Sequence, residues 1–495
     1  MNHKIKKLLC GILIMCQVFS MTAYARPDWP NDTGIQAEAG ALMDVDSGAL
    51  IFGQNSHVAY PPASITKILT ALIVLEHVDD LAETVTFSES AMMNVEADSG
   101  NKLSLVIGDT MTVEDALYAL LLVSVNQSAN ALAEHVAGSI SGFVDMMNAK
   151  LEELGCTDSH FDNPSGLNGD TQNVSAYDMA KIACAAYQNE KLLEISSSVS
   201  HKIGALANHP DGITVKQEHR LVITEDPDSP YYFPEAVAGK TGYLLKAGNT
   251  LVTYAEKDGR RLVSVILKGS PGQYFVDGKE LLRFGFESFY NVDIAENETQ
   301  YVTGEDPVEI GAQTYAPSDL MIETGSQVTL PKNAVFSDAE VTLAELPEDH
   351  PEYAVGLLQY VYNERKIGQA YLLLKNREAV PGTETETVSG TKENHPESED
   401  GTKEAAASVP ADAKSDSKVQ GSFPVIPVIV VLLVLLAAAF CAFIGYRIRE
   451  SRRQEAEQAA IRREKRRQRL QEEGADVEAE FNRLLEEKKK RRGDL

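Results

Sequence analysis

Positive charge is scarce in this sequence, and the shortage limits the partners that the protein can have. The 495 residues include 45 Lys and Arg against 73 Asp and Glu, a formal net charge of −28 at pH 7. The segment from residue 447 to the end holds 16 of the basic residues and 12 of the acidic ones, so the remainder is more acidic still. Such a surface repels nucleic acid and anionic lipid. We therefore expect no nucleic-acid partner, and an anionic substrate would need a local cation to hold it.

Cysteine is scarce as well, with five residues in the whole chain. Cys10 and Cys16 lie in the N-terminal segment and Cys441 lies in an apolar run near the C-terminus. Cys156 and Cys184 are left in the part between. A disulfide between these two is possible, but a single pair of cysteines does not establish one.

Two common hydrolase motifs are missing from the chain. Neither H-E-x-x-H nor G-x-S-x-G is present, so a zinc peptidase and an α/β-hydrolase lack support. His135 falls in a helical stretch, where we expect it to be packed rather than catalytic. We expect no metal site and no cofactor.

Apolar segments near the two ends predict a membrane protein. Residues 1–25 combine a basic start, an apolar run and the cleavage site Ala23-Tyr24-Ala25, which is typical of a signal peptide. Residues 423–448 contain an uncharged run, 425–446, which as a helix is about 33 Å long and can cross a bilayer. Arginines follow this run directly, and positive charge stays inside. We expect a single-pass membrane protein, with the part between the two segments outside the cytoplasm and a charged cytoplasmic tail at 449–495.

The part between these segments divides into three regions that differ in hydrophobic pattern and composition. Residues 26–290 mix a hairpin pattern at 41–52, several amphipathic helices and three neighbouring strands between 236 and 267. Residues 291–378 show the short alternating runs of a small β-sandwich domain. Residues 379–422 are rich in Glu, Ser, Thr, Lys and Pro, which predicts a disordered linker. The expected fold class is α+β, with an antiparallel sheet flanked by helices ahead of the small β-domain.

Ser64 carries the first indication of chemistry. Pro61 and Pro62 favour a helix start, after which apolar residues recur at 65, 68, 69 and 72 with helical spacing. Lys67 therefore lies one turn on and on the same face, where its amine can reach the serine hydroxyl. A serine is a weak nucleophile without a base, and a lysine whose charged form is disfavoured by burial can serve as that base. The spacing predicts acyl transfer through Ser64.

The Ser-x-x-Lys pattern alone is weak evidence, because about two copies are expected by chance in a chain of this length. It recurs at 389–392 and 415–418, where the sequence is too polar to fold. It also recurs at Ser99 and Lys102, across a glycine in a turn-like segment that disfavours a helical approach. The hypothesis therefore needs partners elsewhere in the chain.

Two other segments supply such partners. Ser124 and Asn126 lie at the corner between two predicted helices, where a serine can relay a proton and an asparagine can hold a substrate amide. Helix capping is the alternative explanation for this pair. Lys240, Thr241 and Gly242 fall on a predicted strand, where a cation and a hydroxyl beside a glycine would suit a carboxylate-ended peptide laid along the strand.

These three motifs, in this order, resemble those of the penicillin-binding proteins and class A β-lactamases. Within that superfamily, residues 36–290 are similar to the low-molecular-mass, serine-type D-alanyl-D-alanine carboxypeptidases. The resemblance extends more weakly to the β-rich domain and the C-terminal membrane attachment. The matching segments are Ala41 to Val45, Pro62 to Leu72, Leu122 to Asn126, Asn163 to Leu167 and Gly239 to Gly242.

The resemblance implies a reaction on peptidoglycan stem peptides. Ser64 would attack the carbonyl between the two terminal D-alanines, with Lys67 as its base, and release the last D-alanine. Ser124 would pass the proton to the leaving amine, and water would then hydrolyse the acyl-enzyme. A β-lactam mimics the dipeptide and would acylate Ser64 covalently.

The same resemblance assigns the residues that bind the substrate. Asn126 would hold the substrate amide, and Lys240 and Thr241 would bind the terminal carboxylate. Gly242 would allow the close approach, and the backbone N–H group of Tyr243, with that of the nucleophile, would form the oxyanion hole.

Two departures from the family pattern concern rate and specificity rather than the class of reaction. Leu244 stands where the family commonly has Thr or Ser, and Val125 replaces the usual Gly between the second serine and the asparagine. A β-lactamase remains an alternative function, although no E-x-x-L-N sequence lies between residues 124 and 240. Endopeptidase action on crosslinks and a non-catalytic penicillin-binding wall receptor also remain open.

Overall fold

A computed structural model describes residues 27–96, 99–347 and 349–375 of the chain. The predicted signal peptide, linker, transmembrane helix and cytoplasmic tail all lie outside the described residues. Within the described ranges, no helix is both long enough and apolar enough to span a bilayer.

The helices of the described chain lie mostly in its first 290 residues. Three 3₁₀ turns accompany them, at Ala63–Thr66, Pro317–Asp319 and Phe336–Asp338. The α-helices are α1 (Lys67–His77), α2 (Glu89–Met93), α3 (Val113–Leu122), α4 (Asn126–Ala137), α5 (Ile140–Glu153), α6 (Ala176–Gln188), α7 (Glu190–Ser197), α8 (Arg220–Ile223), α9 (Gln273–Ser288) and α10 (Ile294–Asn297).

The strands fall into two groups, one before and one after α9. The first group is β1 (Ala39–Asp44), β2 (Leu50–Gln54), β3 (Ala59–Tyr60), β4 (Thr84–Thr86), β5 (Thr110–Thr112), β6 (Val174–Ser175), β7 (Ser200–Ile203), β8 (Ile213–Lys216), β9 (Ala236–Leu244), β10 (Gly248–Lys257) and β11 (Arg260–Gly269). The second group is β12 (Phe289–Asp293), β13 (Val308–Ile310), β14 (Gln313–Tyr315), β15 (Leu320–Ile322), β16 (Gln327–Pro331), β17 (Glu340–Ala344), β18 (Ala354–Tyr362) and β19 (Arg365–Leu374).

A five-stranded antiparallel sheet organises the first group. Its strand order is β2-β1-β11-β10-β9, so β9 is an edge strand with one side of its backbone unpaired within this sheet. On its other side β9 pairs with β10, placing Thr241 opposite Leu251 and Gly242 opposite Thr250. The predicted hairpin and the predicted trio of neighbouring strands are both confirmed.

Helix α1 lies at the centre of the helical layer. Every residue from Lys67 to Val74 is buried, because the helices α3, α4, α5, α6 and α7 pack against it. The sequence already indicates this position, since a helix that is apolar around its whole circumference belongs in a core.

Helix α4 begins earlier than the periodicity of the sequence indicates. The apolar pattern predicts a start at Ala129, whereas the helix begins at Asn126. The first turn is polar in sequence and still buried, with Gln127 and Ser128 shielded from solvent. Polar residues that face a neighbouring segment rather than water do not show up in a hydrophobic pattern.

The second group of strands forms a six-stranded antiparallel sheet, ordered β12-β16-β19-β18-β17 with β15 paired to β19. The short alternating strands predicted for residues 291–378 are therefore present. β13 and β14 form a separate two-stranded sheet.

The two cysteines in the described part of the chain are both free thiols. Cys156 and Cys184 are buried and unpaired. Burial raises the pKa of the Cys156 thiol to about 12 and raises that of Cys184 as well, so both remain protonated.

Candidate active site

Ser64 lies in the 3₁₀ turn that leads into α1, and Lys67 is the first residue of the helix proper. The chain enters this turn through Ala63, whose φ of 53° lies in the left-handed region, which residues other than glycine rarely adopt. Because the turn is tighter than an α-helix, residues three apart are nearly eclipsed. The Lys67 amine consequently lies 3.0 Å from the Ser64 hydroxyl oxygen.

The environment of Lys67 favours its neutral form. The side chain is fully buried, and its Nζ contacts Asn126 Oδ1 at 2.7 Å and the Ser165 carbonyl oxygen at 2.5 Å. Burial, followed by the positive charges of Lys240 and Lys102, holds the pKa of Lys67 well below its usual value. These contacts are to neutral oxygens, which orient the amine without supplying the negative charge that would stabilise its protonated form. An amine in this state can accept the proton of the serine hydroxyl.

The loop after Phe161 places the carbonyl group that orients this amine. The Asn163 side chain accepts hydrogen bonds from the backbone N–H groups of Gly166 and Leu167, at 2.8 and 3.1 Å, and so fixes the turn that presents the Ser165 carbonyl. Gly166 has a φ of 83°, and a Cβ there would overlap the Ala63 carbonyl oxygen. Only glycine lets the loop pack this closely against the nucleophile's turn. The sequence indicates this loop as a segment shared with the family and predicts no role for its residues.

Ser124 and Asn126 occupy the corner between α3 and α4. Ser124 has a φ of 63°, and its hydroxyl oxygen is buried without a hydrogen-bond partner among the described residues. Asn126 Oδ1 accepts from Lys67, which leaves its Nδ2 as the donor end of the amide. Val125 turns the other way, since its side chain is 1% exposed and belongs to the hydrophobic core. The departure from glycine at residue 125 therefore lies outside the cleft.

The edge strand β9 brings the third motif to the same place. Lys240 is 1% exposed, and its amine donates to the Thr241 carbonyl oxygen at 3.0 Å. Burial lowers the pKa of Lys240 to about 8. A Cβ on Gly242 would lie 2.8 Å from the Ser64 backbone nitrogen. The strand thus passes directly beside the nucleophile, as the glycine in its sequence predicts.

One cavity of about 440 Å³ collects the side chains that the three sequence motifs predict. Lys67 and Lys240 are buried beneath its surface. The predicted site residues that line it are Ser64, Ser124, Asn126, Thr241, Gly242 and Tyr243. The structure brings all three motifs together, and the individual roles assigned to these residues remain predictions.

Three charged residues that the sequence motifs do not include, Glu96, Lys102 and Glu218, also line the cavity. Lys102 and Glu218 form an ion pair across it, with an N–O distance of 2.8 Å. Lys102 belongs to the Ser-x-x-Lys copy at 99–102, which lies outside any helix and therefore lacks the geometry of a serine–lysine pair. Its partner is 116 residues away in sequence, and no local pattern connects the two.

The ring of His219 packs against the strands β9 and β10. Its ring is fully buried, and Nε2 lies 3.1 Å from the Val252 carbonyl oxygen. Burial lowers the pKa of His219 to about 3, so the ring stays neutral near pH 7. A Cβ on Gly239 would lie 2.6 Å from this ring, which makes the glycine necessary for the contact.

A serine paired with a buried lysine, opposite a Lys-Thr-Gly edge strand, defines the class of serine penicillin-recognising enzymes. The sequence model of the D-alanyl-D-alanine carboxypeptidase family matches residues 25–270. The chain is 36% identical over 245 residues to D-alanyl-D-alanine carboxypeptidase DacB2 of Mycobacterium tuberculosis, covering 49% of this chain and 76% of that protein. It is 27% identical over 296 residues to D-alanyl-D-alanine carboxypeptidase DacF of Bacillus subtilis, covering 58% and 72% respectively.

A solved structure supports the same assignment beyond the catalytic region. Penicillin binding protein 6B of Escherichia coli superposes with a TM-score of 0.51 at 25% identity, covering 71% of this chain and 98% of that one. Penicillin binding protein 5 of Haemophilus influenzae, at 24% identity, shares the fold with a TM-score of 0.55, covering 69% and 97%. This chain belongs to the D-alanyl-D-alanine carboxypeptidase family.

Proposed function

We propose that the protein hydrolyses the bond between the two terminal D-alanines of peptidoglycan stem peptides through an acyl-enzyme on Ser64. One observation carries the proposal: a fully buried lysine amine lies 3.0 Å from the hydroxyl of a serine that lines the cleft. Burial holds the pKa of Lys67 well below its usual value, which favours the neutral amine that can accept the serine proton.

The reaction follows from this arrangement. Lys67 Nζ takes the proton from Ser64 Oγ while the oxygen attacks the carbonyl carbon of the penultimate residue. The unpartnered Ser124 hydroxyl passes its proton to the departing amine and receives one from the protonated Lys67, and free D-alanine leaves. Water then gives a proton to Lys67 as it attacks the ester, and Lys67 returns that proton to Ser64 Oγ as the acid product leaves. Asn126 Nδ2 holds the substrate backbone during both steps.

The charge that develops in this reaction meets preorganised donors. The backbone N–H groups of Ser64 and Tyr243 form the oxyanion hole, and each donor of this kind contributes about 3 kcal/mol to the transition state. The hydroxyl of Thr241 and the positive charge of Lys240 hold the terminal carboxylate. This local cation offsets the repulsion between the anionic substrate and the acidic surface of the protein. A β-lactam presents the same carbonyl and carboxylate and therefore acylates Ser64.

The proposal is tested on the full-length protein with two readouts. Ser64→Ala should abolish both release of D-alanine from a D-Ala-D-Ala pentapeptide and covalent labelling by penicillin, with the adduct located by mass spectrometry. Ser99→Ala is the matched control, because Ser99 is the serine of the other Ser-x-x-Lys copy within the described ranges, and it should keep the adduct on Ser64. An adduct that persists in Ser64→Ala would remove that serine from the mechanism.

We also propose the layout that places this chemistry at the cell wall. Residues 1–25 act as a signal peptide and 26–290 form the catalytic domain. The β-strands of 291–378 build a sandwich domain, and 379–422 form the linker that follows it. Residues 423–448 anchor the protein in the membrane as a single helix, and 449–495 remain in the cytoplasm. Protease treatment of intact protoplasts should digest the catalytic domain and spare the tail, whereas digestion of the tail would contradict this topology.

A further inference from the structure

A second cavity lies beside the catalytic cleft. It has a volume of about 190 Å³ and shares Gly166, Leu167 and Leu244 with the cleft as lining residues. The shared residues make the two cavities neighbours along the loop after Phe161 and along the end of β9. The reaction proposed above does not use this second space.

The geometry of β9 determines which part of a substrate can reach the second cavity. A peptide that binds an edge strand adds to the sheet as a new antiparallel strand. The residue that carries the scissile carbonyl pairs with Tyr243, whose N–H belongs to the proposed oxyanion hole. The preceding residue then lies opposite Leu244, and directly opposed residues on antiparallel strands project their side chains to the same face. That preceding side chain therefore projects toward the cavities that Leu244 lines.

The floor of the second cavity contains an unsatisfied hydrogen-bond donor. Gln172 lines this cavity and is 3% exposed. Its Oε1 accepts from the backbone N–H groups of Asp162 at 2.5 Å and Asn163 at 3.2 Å, which fixes the orientation of the amide. Its Nε2 has no partner among the described residues. A buried donor without an acceptor is costly, and an acceptor on a ligand in this cavity would satisfy it.

Charges of both signs border the same space. Lys246 and Asp170 line the second cavity and are exposed. Neither side chain forms an ion pair with another described residue. The cavity thus offers a cation and an amide donor to an anion, and a carboxylate to a cation.

We propose that the second cavity is a specificity subsite for the side chain that precedes the scissile D-alanine. It takes a side chain that ends in both an amino group and a carboxylate, with the carboxylate on Gln172 and Lys246 and the amine on Asp170. This inference rests on the proposed function and names the class of stem peptide that the same cleft prefers.

The test compares two synthetic pentapeptides that differ in their third residue alone, meso-diaminopimelate in one and L-lysine in the other. The full-length protein should hydrolyse the diaminopimelate peptide with a kcat/KM at least about tenfold higher. Equal values for the two peptides would overturn the proposal.

Three variants locate the preference in the structure. Lys246→Glu should reverse it, because the new carboxylate repels the diaminopimelate carboxylate and attracts the lysine amine. Gln172→Glu keeps the Oε1 acceptor that holds the loop and replaces the donor, so it should reduce the preference toward unity. Lys216→Ala removes an exposed lysine of β8 that does not line the second cavity, and it should retain the wild-type ratio. A preference that survives both Lys246→Glu and Gln172→Glu would place the selectivity elsewhere.

Penicillin acylation separates this test from that of the proposed function. The ratio between the two peptides is the readout, and a purely structural defect lowers both rates without changing it. If penicillin labels Ser64 and the enzyme does not distinguish the peptides, the subsite is wrong and the proposed function stands. If the wild-type protein hydrolyses neither peptide and is not labelled by penicillin, the proposed function is wrong, and the subsite proposal, which rests on it, is wrong as well.

Discussion

Gly242→Ala should disable acylation while leaving the fold intact. The added Cβ would overlap the Thr250 hydroxyl oxygen and would lie 2.8 Å from the Ser64 backbone nitrogen and 3.1 Å from the Ala63 Cβ. Real Cβ atoms keep at least 3.0 Å from their neighbours, and ordinary contact begins near 3.4 Å. Rotation of Thr250 could relieve the first overlap at the cost of its hydrogen bond to the Pro62 carbonyl oxygen. The contact with the Ser64 nitrogen is to backbone, so no side-chain rotation relieves it.

The size of the effect follows from the shift that the methyl group requires. Restoring ordinary contact moves the Ser64 nitrogen by about 0.6 Å, and a misplacement of this order in a preorganised site costs about 100-fold in rate. Loss of one oxyanion-hole donor costs about 100-fold to 1,000-fold, or about 3 to 4 kcal/mol. We therefore expect the second-order rate constant for penicillin acylation to fall by about two to three orders of magnitude. Overpacking of this kind lowers the free energy of unfolding by only about 1 to 3 kcal/mol.

Stopped-flow acylation with a fluorescent penicillin measures this rate constant, and thermal unfolding measures the fold. Gly204→Ala is the matched control, because the nearest atom to its added Cβ is Asp115 Oδ2 at an ordinary 3.5 Å and its φ lies outside the left-handed region. A Gly242→Ala enzyme that acylates within threefold of wild type would show that the Ser64 nitrogen does not take part in the oxyanion hole.

Two other predictions come from the buried ionisable groups. The kcat/KM for carboxylate-ended substrates should fall above about pH 8, because Lys240 loses its proton there, and should rise with pH on the acid side as Lys67 becomes neutral. Lys102→Ala should move the alkaline limb to higher pH, since the charge of Lys102 lowers the pKa of Lys240; an unmoved limb would assign the titration to another group. Cys156 and Cys184 should resist alkylation in the folded protein, since burial raises both pKa values, and peptide mapping that finds either one modified as fast as in urea would contradict this.

Local structure could be predicted well because it depends on neighbours in sequence. Thr112 caps α3 through a side chain that accepts a hydrogen bond from the Asp115 N–H, a contact between residues only three apart in sequence. The hairpin of β1 and β2 and the order of β9, β10 and β11 follow from alternating patterns and short turns. The start of α4 was missed because its first turn is polar and buried against other segments.

The sequence also identified the chemical groups of the site, since the three motifs stand in elements whose types could be predicted. It could not show that Ser165 contributes its carbonyl oxygen to the lysine amine, because a backbone group carries no residue signature. It could not show that Val125 faces the core, or that Lys102 pairs with Glu218 from 116 residues away.

By itself, then, the sequence determined which reactive groups the protein carries and on which helix, corner or strand each one stands. Only the tertiary structure decided that Lys67 is buried among neutral oxygens, and therefore that its amine can act as a base. The physical reason is that a pKa depends on how much water surrounds a group. Water is excluded here by α1, α4 and the loop after Phe161, which are distant along the chain and meet only when it folds.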